Sequence, residues 1–202
     1  MSKHKAKFHN TMVHNLTRVP QTKREAMPKL QNYEQNSRHQ ADIIYLPEDP
    51  DTGHKYAVVV VDTTTRRADS RPLKPHSAAE TLKAVKSIYS SNILKKPTRA
   101  METDAGQEFK GVFHKWVLNT LGVDHKVSRV GRHRQTGLVE AVNSVIGQKI
   151  LGERQLEEEL ATGETNRSWV SDLPEVISEY NSNKKKRAEP KSKTMKETPT
   201  LR

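Results

Sequence analysis

Cysteine is absent from all 202 residues. That excludes disulfides, cysteine nucleophiles and every zinc site built on thiolates. It fits a reducing compartment. No apolar run approaches the ~18 residues a membrane span requires, and the N-terminus is basic and polar without an apolar signal core. The expectation is an intracellular protein, neither secreted nor membrane-spanning. Hydrophobic residues supply only 33% of the chain and mean hydropathy is −0.86, so part of the chain is expected to stay outside a packed core. The length suits one medium domain with flexible ends, and no internal repeat is visible.

Positive charge is present in excess, but not in the middle. Residues 1–40 carry 8 Lys/Arg against 2 Glu, residues 183–202 carry the same, and residues 41–182 carry 19 Lys/Arg against 20 Asp/Glu. Two basic arms therefore flank a near-neutral core. Lys and Arg displace condensed counterions from phosphates, so the arms point to nucleic acid. His4, His9 and His14 recur at a five-residue spacing that does not share a helical face, and Pro20 and Pro28 interrupt any long helix. The reading is a basic, largely disordered arm over 1–38, a folded core over 39–183 and a basic tail over 184–202 that opens with Lys184, Lys185, Lys186 and Arg187.

Within the core, His39–Leu46 reads as a strand and Tyr56–Val61, nearly continuous in apolar residues, as a buried second strand. Ala68–Leu73 would complete an antiparallel meander. Ser77-Ala-Ala-Glu80 is a capping box that opens a helix to about Ser91. A short strand, Thr98–Thr103, delivers Asp104. Gly111–Leu121 reads as an amphipathic helix stopped by Gly122, and Val123–Val130 as an alternating strand. After a basic loop, Gly131–Gly137, a helix from Leu138 would bury Val139, Val142, Val145 and Ile146. Helices over about Glu153–Ala161 and Trp169–Asn181 follow. The order β-β-β-α-β-α-β-α-α implies an α/β fold with a mixed sheet and helices on its faces.

Three acids stand out by position. Asp42 sits early in a buried strand with Ile44 on its side, and an unpaired buried carboxylate costs several kcal/mol, so it needs a partner such as a divalent cation. Asp104 lies where a strand gives way to Ala-Gly106, a break that allows close approach. Glu140 lies at a helix start, with Asn143 on the same face three residues on. Oxygen donors without His or Cys suit Mg²⁺ or Mn²⁺, and not zinc. Two such ions can activate a water or a 3′-hydroxyl and stabilise a leaving oxygen. The loop before Glu140 carries Arg129, Arg132, His133 and Arg134, cations suited to anchoring a DNA backbone.

These residues resemble the catalytic core of the retroviral-type integrases and related DDE transposases. Gln40-Ala41-Asp42 looks like the first acidic motif, and Thr103-Asp104-x-Gly106-x-Glu108-Phe109 like the second. Gln135-Thr-Gly137-Leu138-Val139-Glu140-x-x-Asn143 is similar to the third, with thirty-five residues between Asp104 and Glu140. Val59-Val-Val-Asp62, Arg66-Arg67 and Pro72-Leu73 are similar to the family's second and third strands, and Trp169 to Asn181 to its last helix. Among relatives, integrases of large DNA viruses and Polinton/Maverick-type elements look closest. The resemblance implies a ribonuclease H-like fold with a five-stranded mixed sheet. It implies 3′-end processing and strand transfer of viral or mobile-element DNA, in a host nucleus or at a viral replication site. The implied machinery is two Mg²⁺ (or Mn²⁺) ions held by Asp42, Asp104 and Glu140, in a homo-oligomer bridging double-stranded DNA ends.

The chain also departs from that family. His39 stands where Trp is usual, and Ala141 where a basic residue is common. Gly147 and Gln148 occupy positions where relatives place Lys, leaving Lys149 as the nearest substitute for DNA contact. Without cysteine no His/Cys zinc domain is expected, and with the chain ending at Arg202 no C-terminal barrel or chromodomain is expected. Lys184–Arg187 replaces the His-to-Pro segment. Two other activities share the pattern: a ribonuclease H-like nuclease that hydrolyses without joining, and a non-catalytic DNA-binding protein that uses only its arms.

Overall fold

Four consecutive valines, Val58–Val61, can be buried only where both faces of a strand are covered, and the sheet is built around that requirement. The computed structural model describes residues 34–128, 137–163 and 168–188, without the side chains of 154, 155, 157, 158 and 184–188. Its strands are β1 (Arg38–Tyr45), β2 (Tyr56–Asp62), β3 (Ala68–Leu73), β4 (Ala100–Thr103) and β5 (Asp124–Val127). They form one five-stranded sheet in the order β3-β2-β1-β4-β5. β1, β2 and β3 are antiparallel neighbours, and β4 runs parallel to both β1 and β5. The expected mixed sheet and meander are therefore present, with β1 in the middle.

Helices cover both faces. On one, α1 (Ala78–Ser90) and α2 (Val112–Trp116) pack Val85, Ile88, Phe113 and Trp116 against Ala41, Ile43, Val58, Val60 and Met101. On the other, α3 (Gly137–Gln148) and α5 (Leu173–Ala188) pack Val139, Val142, Ile146, Val176 and Ile177 against Val59 and Val61. A short α4 (Gln155–Thr162) joins them. The Ser77 hydroxyl caps α1 by accepting from the Glu80 N–H at 3.3 Å.

Several expected boundaries move. The Gly111–Leu121 helix is α-helical only to Trp116. It then widens into a π turn, Val117–Leu121, which Gly122 closes at φ 69° while the Val123 N–H reaches the Val117 carbonyl. β5 covers Asp124–Val127 at the sheet edge, with Val127 45% exposed, and residues 129 and 130 of the expected Val123–Val130 strand lie outside the described residues. Val145 is 37% exposed: the buried stripe of α3 runs Val139, Val142, Ile146, and Val145 lies on its flank. α3 continues as a π segment, Lys149–Arg154.

The last helix begins at Leu173, not Trp169, because Asp49 in the β1–β2 loop claims the preceding backbone. Fully buried, Asp49 accepts from the N–H groups of Trp169 (2.7 Å) and Val170 (3.0 Å) and from the Ser168 hydroxyl. It also accepts from the N–H and hydroxyl of Thr52. α5 then runs to Ala188, through the positions of Lys184–Arg187, and Asn181 pairs with both backbone groups of Ala68 on β3. His39, where the resemblance has Trp, is a core residue: its ring stacks on Tyr89 and its Nδ1 lies 2.9 Å from the Tyr89 hydroxyl.

Candidate active site

The register of β1 with β4 sets the first two acids side by side. Gln40 is aligned with Glu102 in this parallel pair, so Asp42 and Asp104 each lie two residues further along. Asp42 shares a strand face with Gln40 and Ile44, the face turned toward α3. Gln40 performs the alignment of the third acid. Its side-chain carbonyl accepts from the backbone N–H groups of Leu138 and Val139, both at 3.2 Å, at the exposed N-terminus of α3. Its amide nitrogen donates to Glu102 Oε2 at 3.1 Å. Directly after that anchor, Glu140 lies in the first turn of α3, where the helix dipole favours a carboxylate.

Asp42 is the most perturbed of these groups. Its Oδ1 accepts from the Ile43 N–H at 2.9 Å and its Oδ2 from Asn143 Nδ2 at 2.9 Å. Burial nonetheless raises its pKa from 3.8 to about 6, opposed by the Ile43 hydrogen bond and reinforced by the charges of Asp104, Glu140 and Glu108. The Oδ1 of Asn143 is buried without a hydrogen-bond partner.

Asp104 follows β4 directly. Its Oδ1 accepts from the Gly106 N–H at 3.1 Å, and its carbonyl accepts from the Thr103 hydroxyl at 2.8 Å. The one Thr103 hydroxyl proton is thereby committed, so the His125 Nε2 at 3.0 Å must be the donor to that oxygen. Neutral His125 then accepts at Nδ1 from His114 Nδ1, 2.7 Å away. Burial and the neighbouring His114 lower the His125 pKa to about 4, which keeps this arrangement neutral. The chain His114–His125–Thr103 thus fixes the backbone that carries Asp104.

The structure therefore brings Asp42, Asp104 and Glu140 within electrostatic reach of one another, and it adds Glu108. Among the described residues no three His, Asp or Glu side chains stand close enough to ligate one ion together. The fit to a hard cation rests on other observations: oxygen donors only, three carboxylates (Asp104, Glu140, Glu108) acting on a fourth, Asp42, which burial and those charges raise to about 6, and an orphaned amide oxygen beside it.

The remaining expected site residues are placed unevenly. Arg129, Arg132, His133 and Arg134 lie outside the described residues, as does the arm over 1–33. Lys149 is bonded to Glu179 (2.7 Å) and Glu153 (3.3 Å), tying α3 to α5. Asn143 faces Asp42. Gln40 and Glu108 went unassigned in the sequence, although both sit inside the motif segments. The signal for each was a polar residue in a segment that must be buried: Gln40 alternates with Asp42 on a central strand, and Glu108 directly precedes the buried Phe109.

A family model described as "Integrase core domain" matches residues 32–133, which include Asp42 and Asp104 and stop short of Glu140. No curated protein matches the sequence. Among solved structures, the chain is similar to the HTLV-2 integrase catalytic core domain in complex with magnesium, in its dimeric form. The identity is 19% and the TM-score 0.55, over 73% of this chain and 87% of that one. It is also similar to a chain of the simian T-cell lymphotropic virus intasome in complex with PP2A regulatory subunit B56 gamma. There the identity is 16% and the TM-score 0.54, over 72% of this chain. The match spans about half, 47%, of that intasome chain. At these identities the likeness establishes the shared fold. Among the described residues no helix is long and apolar enough to cross a membrane.

Proposed function

The chain belongs to the integrase core domain family, and on that premise we propose that it is a DNA integrase or transposase. Its activity would be metal-dependent 3′-end processing and strand transfer of viral or mobile-element DNA. The observation that carries this reading is the convergence of charge on Asp42. A half-buried carboxyl on the middle strand, raised to about 6 by desolvation and by the charges of Asp104, Glu140 and Glu108, is a poor structural acid and a good cation site. Asp42, Asp104 and Glu140 would hold two Mg²⁺ or Mn²⁺ ions. Bound there, such ions would activate a water or a 3′-hydroxyl and stabilise the leaving oxygen.

The protein's own groups would do the rest. Gln40 keeps Glu140 opposed to Asp42, Asn143 orients the Asp42 carboxylate, and Thr103 and His125 hold the Asp104 backbone. Double-stranded DNA, both element ends and target, would be gripped through its phosphates by Arg129, Arg132 and Arg134 and by Lys184, Lys185, Lys186 and Arg187. The basic segments 1–38 and 184–202 would flank the catalytic core. Lys149 could join that set only by leaving Glu153 and Glu179. The HTLV-2 core was solved as a dimer with magnesium and the simian virus protein as an intasome, which supports a homo-oligomer here.

The test uses a labelled short duplex and a supercoiled target plasmid, with Mg²⁺ or Mn²⁺ and with chelator. The expected products are shortened strands and duplex–plasmid joints, both lost with chelator. Shortened strands without joints would replace this reading with a hydrolytic nuclease. DNA binding that falls steeply with salt, with no product under any metal, would replace it with a non-catalytic binder.

A further inference from the structure

Glu108 is an acid beside Asp42 that the three proposed ligands leave without a task. It lies in the 3₁₀ turn Gln107–Phe109, four residues after Asp104, and is only 9% exposed. Its carboxylate makes no hydrogen bond or ion pair among the described residues. The residue is enclosed, but its carboxylate oxygens stay open to water, where a hydrated ion could meet them.

The Glu108 carboxylate lies against Gly106. A Cβ on Gly106 would stand 2.5 Å from both Glu108 Cδ and Oε1 and 2.7 Å from Oε2. Gly106 has an ordinary φ of −57°, so glycine is not required there by backbone conformation. The Glu108 carboxylate instead occupies the space a side chain at 106 would take. The same Gly106 donates its N–H to Asp104 Oδ1. Glu108 is therefore folded back over the Asp104 turn, and its charge acts on Asp42 and on the Tyr45 hydroxyl. Beside Asp42, the buried Asn143 Oδ1 is a further acceptor without a donor.

We propose that Glu108 is a fourth carboxylate of the cation site, seated by Gly106 to accept hydrogen bonds from the water shell of a divalent ion held by Asp42 and Asp104. Magnesium retains several of its waters when bound by proteins, so an acid one layer out has donors to meet. This inference rests on the metal reading proposed above. It goes beyond that reading by giving Glu108 and Gly106 a joint task.

Thermal melts of the full-length protein across a Mn²⁺ titration test it without recourse to activity. Wild type should gain stability with Mn²⁺. Glu108→Gln, which keeps the shape of the side chain, should fold about as stably as wild type without metal and should bind Mn²⁺ about 10-fold more weakly. Gly106→Ala keeps every carboxylate but displaces that of Glu108, a flexible side-chain end, and should weaken Mn²⁺ binding comparably. The double variant should lose no more than either single one, because both act on the same group. A Glu108→Gln titration that overlays wild type would overturn the proposal and leave the three-acid site standing. Additive losses in the double variant would also overturn it. No Mn²⁺ response in wild type would overturn both readings.

Discussion

Replacing Asp42 with Asn is expected to raise the melting temperature of the metal-free protein at pH 7 while reducing DNA joining roughly 10³-fold, the scale at which removal of one key electrostatic group acts. The stability half follows from linkage. The folded-state pKa of Asp42 is raised from 3.8 to about 6. A raised carboxyl contributes stability that is present at low pH and lost as pH rises through the folded value. At pH 7 the ionised group therefore costs about 2–3 kcal/mol, which a neutral amide would not. For a chain of this size that corresponds to roughly 5–10 °C. The local hydrogen bonds permit the change. The carboxamide oxygen introduced by Asp42→Asn can still accept from the Ile43 N–H, and a flipped Asn143 amide would offer its orphaned Oδ1 to the new NH₂.

The wild-type pH profile carries the same signature. Burial, partly offset by Asp62, lowers the His39 pKa to about 4. A histidine buried neutral destabilises the fold as pH falls from 6.5 toward 4, opposite in sign to Asp42 and similar in size. His125, also lowered to about 4, adds a second loss of the same sign, so in wild type Asp42 offsets only one of the two histidines between about pH 6 and 4.5. Asp42→Asn should lose stability more steeply than wild type over that window. Melts at about pH 7 and pH 5 check both halves. A lower melting temperature for Asp42→Asn at pH 7 would mean that the carboxylate is a structural partner and not a strained ligand.

Asp49→Ala is expected to be the most destabilising substitution at a distance from the site, by about 3–5 kcal/mol. Burial pushes the Asp49 carboxyl up. The Val170 N–H, the Thr52 hydroxyl and N–H and the Trp169 N–H outweigh that and hold it well below the usual carboxylate range. Its stabilisation is therefore fully present above the ordinary Asp value and fades only in strong acid. Alanine would strand the Trp169 and Val170 amides and free the segment that seats Trp169, whose indole Nε1 donates to the Pro47 carbonyl. Against a total of about 5–15 kcal/mol, the loss would show plainly in urea unfolding. A change within about 0.5 kcal/mol, the size of an ordinary surface substitution, would contradict the clamp.

The meander, the α1 capping box and the three acid-bearing segments were legible in the sequence because each rests on local chemistry: a valine run, a Ser-x-x-Glu box, carboxylates beside breaks in apolar strands. What stayed hidden was set by tertiary context. Nothing local distinguishes Asp49 from any other turn aspartate. Its role appears only when Trp169, 120 positions away, arrives above it. The π turn at Val117–Leu121 answers the need to close on Gly122. Val145 matched the apolar pattern, yet α3 is rolled so that Val139, Val142 and Ile146 meet the sheet. Gln40 and Glu108 were in view as motif letters. Their tasks depend on the α3 N-terminus and the Gly106 gap, which no spacing along the chain displays.

That Asp42, Asp104 and Glu140 face a shared divalent-cation site is tested most directly by anomalous diffraction at the manganese edge, from crystals soaked in Mn²⁺. The expected result is anomalous density bounded by these three carboxylates in the wild-type protein, and its loss in Asp104→Asn crystals. Saturating Mn²⁺ that leaves the basin empty while the same preparation joins DNA would contradict it.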